Sequence, residues 1–157
     1  MVRALTILGV VAALAAAASA QPAVDAGTHE LQPNTAGQEI ALYVTGGEAV
    51  QGVEFDAQVP AGDDGPCFLA GDLITGTIFE SNHDQDPGAW GSYVHPHDLY
   101  LGVATQSGSV SAAGKLVTLT LDTTGLWTGT FALQLRNDAE AAETNFAGTA
   151  AELTDGT

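Results

Sequence analysis

Alternation of apolar and polar residues with a period of two, in short runs broken by glycine, is the feature that most restricts the fold of this chain. Successive side chains of an extended strand point to opposite faces, so such a run buries one face and wets the other. In Gln38–Thr45, Ile40, Leu42 and Val44 share one face, Glu39, Ala41 and Tyr43 share the other, and Gly46-Gly47 supplies the turn. Residues 51–60 are the clearest case, with Val53, Phe55, Ala57 and Val59 facing in and Glu54, Asp56 and Gln58 facing out. Pro60 ends that run because it cannot donate to a ladder.

Further strands are predicted at residues 73–80, where Ile74, Thr77 and Phe79 are β-branched or aromatic, and at residues 97–105, with Leu99, Leu101 and Val103 in phase. Residues 115–122 set Leu116, Thr118 and Thr120 against Val117, Leu119 and Leu121, and residues 128–137 turn Phe131, Leu133 and Leu135 inward. Residues 145–147 and 150–153 read as two short strands, and residues 28–32 as an edge strand. The one helix-forming stretch, residues 138–144, is long enough for a turn or a single helical turn. About eight strands with no helix between them predict an all-β fold, an antiparallel two-sheet sandwich.

The first twenty residues read as an export signal. Arg3 is the positive start, residues 4–17 are almost all apolar, and Ala18-Ser19-Ala20 has the small-x-small form of a cleavage site before Gln21. The apolar run falls short of the roughly 20 residues of a membrane span. The expected organisation is a signal peptide at residues 1–20, a flexible lead at 21–27 and a single sandwich domain at 28–157. The expected location is secreted, extracellular or at the cell surface.

Three Lys and Arg against 19 Asp and Glu give a formal net charge of −16, or −17 once Arg3 leaves with the signal. Such a surface repels nucleic acid and anionic lipid and attracts cations and basic protein patches. Cys67 is the single cysteine, so no disulfide closes within the chain. Its apolar setting, Gly65-Pro66-Cys67-Phe68-Leu69, reads as that of a small buried hydrophobe rather than a reactive thiol.

Several strand-and-turn phrases resemble those of the cohesin-like domain family. Ala36-Gly37-Gln38-Glu39-Ile40-Ala41-Leu42-Tyr43-Val44 is similar to the family's opening strand, and Val50-Gln51-Gly52-Val53-Glu54-Phe55-Asp56-Ala57 to the strand after it. The runs Gly114 to Leu126 and Gly129-Thr130-Phe131-Ala132-Leu133 are similar to its penultimate region, and Ala151 to Thr157 to the approach to its last strand. The resemblance covers roughly residues 35–157. It implies a jelly-roll-like sandwich working outside cells as a protein-interaction module for a dockerin-type partner in polysaccharide-associated assemblies. It also implies a closing strand beyond Thr157, so the expectation is either that this strand is absent or that the chain is a fragment.

Two segments carry oxygen and nitrogen donors. Asn82, Asp84 and Asp86 alternate as ligands do in calcium loops, although Gly88 comes one place late and no glutamate closes the loop; the segment reads as a calcium site or as a solvated polar loop. His95 and His97, two apart on an extended chain, would face one metal ion with His83 or Asp98 as a third ligand, or else are simply exposed. No cofactor is otherwise indicated, calcium being the one candidate. Trp90, Tyr93, Tyr100 and Trp127 form either a sugar-stacking platform or part of the packing.

No Gly-x-Ser-x-Gly elbow or His-Glu-x-x-His helix occurs, and carboxylate pairs are too common here to mark an acid–base site. The reading is therefore non-enzymatic: a secreted cohesin-like module, with a carbohydrate-binding sandwich and a surface-layer or structural subunit as alternatives. A metal-dependent hydrolase built on His83, His95 and His97 would require those rings to converge within about 5 Å of a common point.

Overall fold

The alternating runs become the central strands of two sheets. The structure, a computed structural model, describes residues 20–60, 64–84, 92–135, 144–147 and 151–157. Its strands are β1 (Ala23–Asp25), β2 (Gln38–Thr45), β3 (Ala49–Val50), β4 (Gly52–Gln58), β5 (Cys67–Asp72), β6 (Ser92–His95), β7 (Asp98–Ala104), β8 (Val110–Ser111), β9 (Gly114–Asp122), β10 (Asn145–Phe146) and β11 (Glu152–Thr154). One sheet has the order β11-β1-β2-β9-β5, the other β10-β4-β7-β6, and β3 and β8 form a small ribbon. Among the described residues, all pairings between these strands are antiparallel except β1 with β11. The fold is all-β, an antiparallel two-sheet sandwich as the strand pattern predicts, and of the jelly-roll kind that the resemblance implies.

The core lies between the sheets. Ile40, Leu42 and Val44 of β2 and Val117, Leu119 and Leu121 of β9 face Val53, Phe55 and Ala57 of β4 and Leu99, Leu101 and Val103 of β7. Leu116 is buried as well, because the register shifts opposite Leu42/Tyr43 and leaves it as an extra residue in β9. Strict alternation had put Leu116 on the face opposite Val117. A second shift in β5, between Phe68 and Ala70, leaves Leu69 exposed.

Several expectations are corrected. Residues 73–80 form turns, not a strand, and the strand lies just before them at β5. Asp72 Oδ1 accepts hydrogen bonds from the Ile74 and Thr75 amides at 2.7 and 2.9 Å, and the Thr77 hydroxyl donates to the Leu73 carbonyl at 2.6 Å. These local bonds compete with a ladder and bend the chain, while Leu73 and Phe79 remain buried. No strand forms at residues 28–32, where an edge strand was expected; the early strand is β1, inside the segment read as a flexible lead, paired on one side with β2 and on the other with β11, and Val24 and Ala26 are buried there. In the run expected at 128–137, Leu133 pairs with Gly156 and Gln134 pairs with Gln58. Consecutive residues thus bond to different partners, and the segment crosses from one sheet to the other instead of extending either. Cys67 is half-buried rather than fully buried. The helix-forming stretch lies outside the described residues except Thr144.

The C-terminal residues are tied in closely. The Thr157 amide donates to the Gly27 carbonyl at 2.8 Å, and a Cβ on Gly156 would lie 2.1 Å from that same oxygen. Backbone cannot yield there as a flexible side chain would. Gly156→Ala is expected to lower stability by about 1–3 kcal/mol in denaturant melts, by the overpacking typical of a filled interior.

Candidate functional site

The outer face of the four-stranded sheet gathers most of the chemistry. Register places Asp56, Tyr100 and Tyr93 in one row across β4, β7 and β6, and Gln58, Asp98 and His95 in the next. Tyr93 and Tyr100 stack with ring centroids 5.8 Å apart and planes 16° from parallel. The His95 ring meets Tyr93 edge-on at 5.2 Å. The Tyr93 hydroxyl donates to Asp98 Oδ2 at 3.2 Å. Asn145 of β10 donates to Glu54 Oε2 at 3.1 Å. Directly opposed aromatic residues stabilise neighbouring strands, and here they leave an apolar, partly exposed plateau at the β6 edge.

Asp56 sits beside that plateau and is fully buried. The Thr144 hydroxyl covers its backbone, accepting from the Asp56 amide at 3.0 Å and donating to its carbonyl at 2.9 Å. Neither carboxylate oxygen of Asp56 has a hydrogen-bond partner among the described residues, nor does Asp98 Oδ1. Burial first, and then the charge of Asp98, push the Asp56 carboxyl up to about 7. Burial, with the Glu54 and Asp56 carboxylates nearby, also pushes the Tyr100 phenol above its ordinary range.

The paired-histidine arrangement does not form, and the calcium-type segment is described only as far as Asp84. Pro96 and His97 form a two-residue hairpin turn between β6 and β7, so His95 and His97 do not lie on one extended segment and do not face one ion. His97 Nδ1 is 3.1 Å from the Pro66 carbonyl, and His83 Nδ1 is 3.1 Å from the Phe79 carbonyl. Asn82 is bound to Ser107, its Nδ2 donating to the Ser107 carbonyl at 2.7 Å, and the Asp84 amide donates to the Ala104 carbonyl at 2.8 Å. Asp86 and Trp90 lie outside the described residues. Among the described residues no three His, Cys, Asp or Glu side chains gather as a metal would need.

The aromatic set divides too. Tyr93 and Tyr100 come together, whereas Trp127 stands in a separate groove with Leu31, Pro33 and Phe131. Sequence reasoning missed Asp56 as a site residue, because it reads as one more outward-facing polar position. Asp56 alternates with Glu54 and Gln58 in β4, so nothing in the local pattern sets it apart, and only the fold shows that it is buried.

The architecture defines a class first: an antiparallel jelly-roll sandwich with a concentrated polar and aromatic sheet face. Its structural neighbours are cohesins. The chain is similar to a non-cellulosomal cohesin from the hyperthermophilic archaeon Archaeoglobus fulgidus, with a TM-score of 0.57 and 17% identity over 87% of this chain and 88% of that one. It is similar to the cohesin of the Coh-OlpC-Doc435 complex from Clostridium thermocellum, with a TM-score of 0.59 and 12% identity over 87% and 91%. It is also similar to the third ScaC cohesin of Acetivibrio cellulolyticus, solved with the ScaB dockerin, with a TM-score of 0.60 and 14% identity over 86% and 95%. No family model matches the chain, and no curated protein matches it. The fold is therefore cohesin-like. No helix among the described residues is long and apolar enough to cross a membrane.

The raised carboxyl of Asp56 has a direct consequence for stability. Between its ordinary value of 3.8 and about 7 the folded chain holds a proton that the unfolded chain has released, so stability falls as pH rises through that window. Asp56→Asn removes the ionisation. The variant is expected to melt above the parent at about pH 8.5, with the gap closing towards about pH 5; a gap independent of pH would contradict this account.

Proposed function

We propose that this protein is an exported, non-catalytic binding module that receives a dockerin-type protein partner on the outer face of its four-stranded sheet. The observation that carries the reading is the coincidence of two things. The chain has a cohesin-like fold, and two of its structural neighbours were solved in cohesin–dockerin complexes. The same chain concentrates stacked tyrosines and carboxylates on one sheet face. A half-exposed aromatic pair gives an anchor of large contact area, and charged groups around it set orientation and encounter rate.

The leader at residues 1–20 and the net charge of −16 support work outside the cell, where the acidic surface favours a partner with basic or cation-bearing contacts. A polysaccharide-associated assembly is the setting that fits such a module.

Binding to a panel of dockerin modules, measured by calorimetry with and without calcium, tests the reading. Tyr93→Ala is expected to weaken any complex about tenfold or more, the loss common for a central aromatic anchor. Trp127→Ala is expected to leave it within about twofold, because Trp127 is not on this face. Failure of every dockerin to bind, at any calcium level, would overturn the proposal.

A further inference from the structure

A second site is built at the loops that follow β1 and β9. Residues 28–33 and 126–131 enclose a groove of about 460 Å³, within the roughly 300–1,000 Å³ range of small-ligand sites. Trp127 stands in it 69% exposed, the most exposed large hydrophobic side chain among the described residues. Phe131, Leu31 and Pro33 complete an apolar floor, and Thr28, Thr128, Thr130 and Gln32 bring hydroxyl and amide groups to its walls. None of the lining residues belongs to β4, β6, β7 or β10, so this groove is distinct from the proposed docking face.

The loops that shape the groove are pinned. The buried Thr123 hydroxyl lies 2.7 Å from the Gln32 carbonyl and 3.0 Å from the Thr35 carbonyl, and it accepts from the Thr35 amide at 3.0 Å. Gln38 Nε2 donates to the Gln32 and Thr35 carbonyls at 3.0 and 2.9 Å. Asn34, held at a φ of 49°, accepts from the Gly125 amide at 2.9 Å, and its own amide donates to the Leu126 carbonyl at 2.8 Å. A left-handed non-glycine residue and a buried hydroxyl with several partners together join the two loops beneath the indole. The indole is thus presented on a fixed base, which lowers the ordering cost of binding.

The lining chemistry selects a ligand class. An exposed indole offers a flat apolar face with a polar edge, and the neighbouring groups are hydroxyls and amides that both donate and accept. The lining contains Glu30 and His29 but no lysine or arginine, and the chain as a whole carries a net charge of −16. Anionic ligands are therefore disfavoured. A ligand with apolar ring faces and many neutral hydroxyls matches this set. We propose that the Trp127 groove binds a neutral saccharide chain, one sugar ring stacking on the indole and its hydroxyls bonding to the threonine-rich walls.

The experiment is affinity electrophoresis of the full chain in gels containing a β-1,4-glucan, a xylan, a mannan or starch, with a pectate gel as anionic control. Titrations with the matching oligosaccharides follow. Retarded migration in at least one neutral gel is expected, with none in pectate. Trp127→Ala is expected to weaken binding about tenfold or more, Trp127→Phe to retain part of it, and Tyr93→Ala to leave it unchanged. Circular dichroism of Trp127→Ala should match the parent, since so exposed a side chain contributes little to the core. Absence of retardation in every neutral gel, equal retardation of Trp127→Ala, or retardation in pectate alone would overturn the proposal. So would Trp127-dependent self-association that no saccharide displaces, which would assign the groove to a second copy of the chain.

Discussion

One apolar layer between two sheets holds this molecule together. No disulfide can close within a chain that has a single cysteine, and no metal array stands in for one among the described residues. The layer is continuous, from Val24 and Leu42 through Leu119 to Phe55, Leu99 and Phe146, and these side chains are at least 98% buried. Fully burying a large aliphatic or aromatic side chain contributes about 1.5–3 kcal/mol. Each such contribution is small against the entropy of ordering the chain, so the sandwich depends on many alternating positions being in phase at once. Gly71 lets the sheets approach closely, for a Cβ there would lie 2.5 Å from Leu101 Cδ1.

Electrostatics works against that layer at one place. Asp56 occupies an outward position of β4, yet it is buried, with the Thr144 hydroxyl bonded to its backbone amide and carbonyl. An ionised carboxylate without partners is costly in such a place, so it keeps its proton to about neutral pH. Its neighbours Asp98, Tyr100 and Tyr93 are joined by cross-strand pairing, so the cost falls on the same face that the docking reading uses. The proposed docking face therefore carries a buried carboxyl with no hydrogen-bond partner among the described residues beside its aromatic pair.

Much of the framework was legible beforehand. β2, β4, β7 and β9 lie where alternation places them, because strands half-buried against a core carry a period-two signal. β10 and β11 fall close to the two short strands expected near the C-terminus. The failures share a cause. Residues 73–80 have strand-like composition, but Asp72 and Thr77 satisfy nearby backbone groups locally. Pro96-His97 reads as extended chain, but β6 and β7 pair across it and make it a turn. β1 carries only three residues, too few for periodicity to register, and is held by neighbours on both sides.

The amino-acid sequence alone determined that the chain is a glycine-punctuated, acidic, strand-built sandwich, because alternation, turn residues and net charge are local or additive properties. Tertiary structure decided which tyrosines stack, that Asp56 is covered, that the histidines part and that Trp127 stands apart on a pinned loop. Those outcomes depend on register between strands distant in sequence and on which loop closes over which face. A linear pattern does not encode such relations until the sheets have formed.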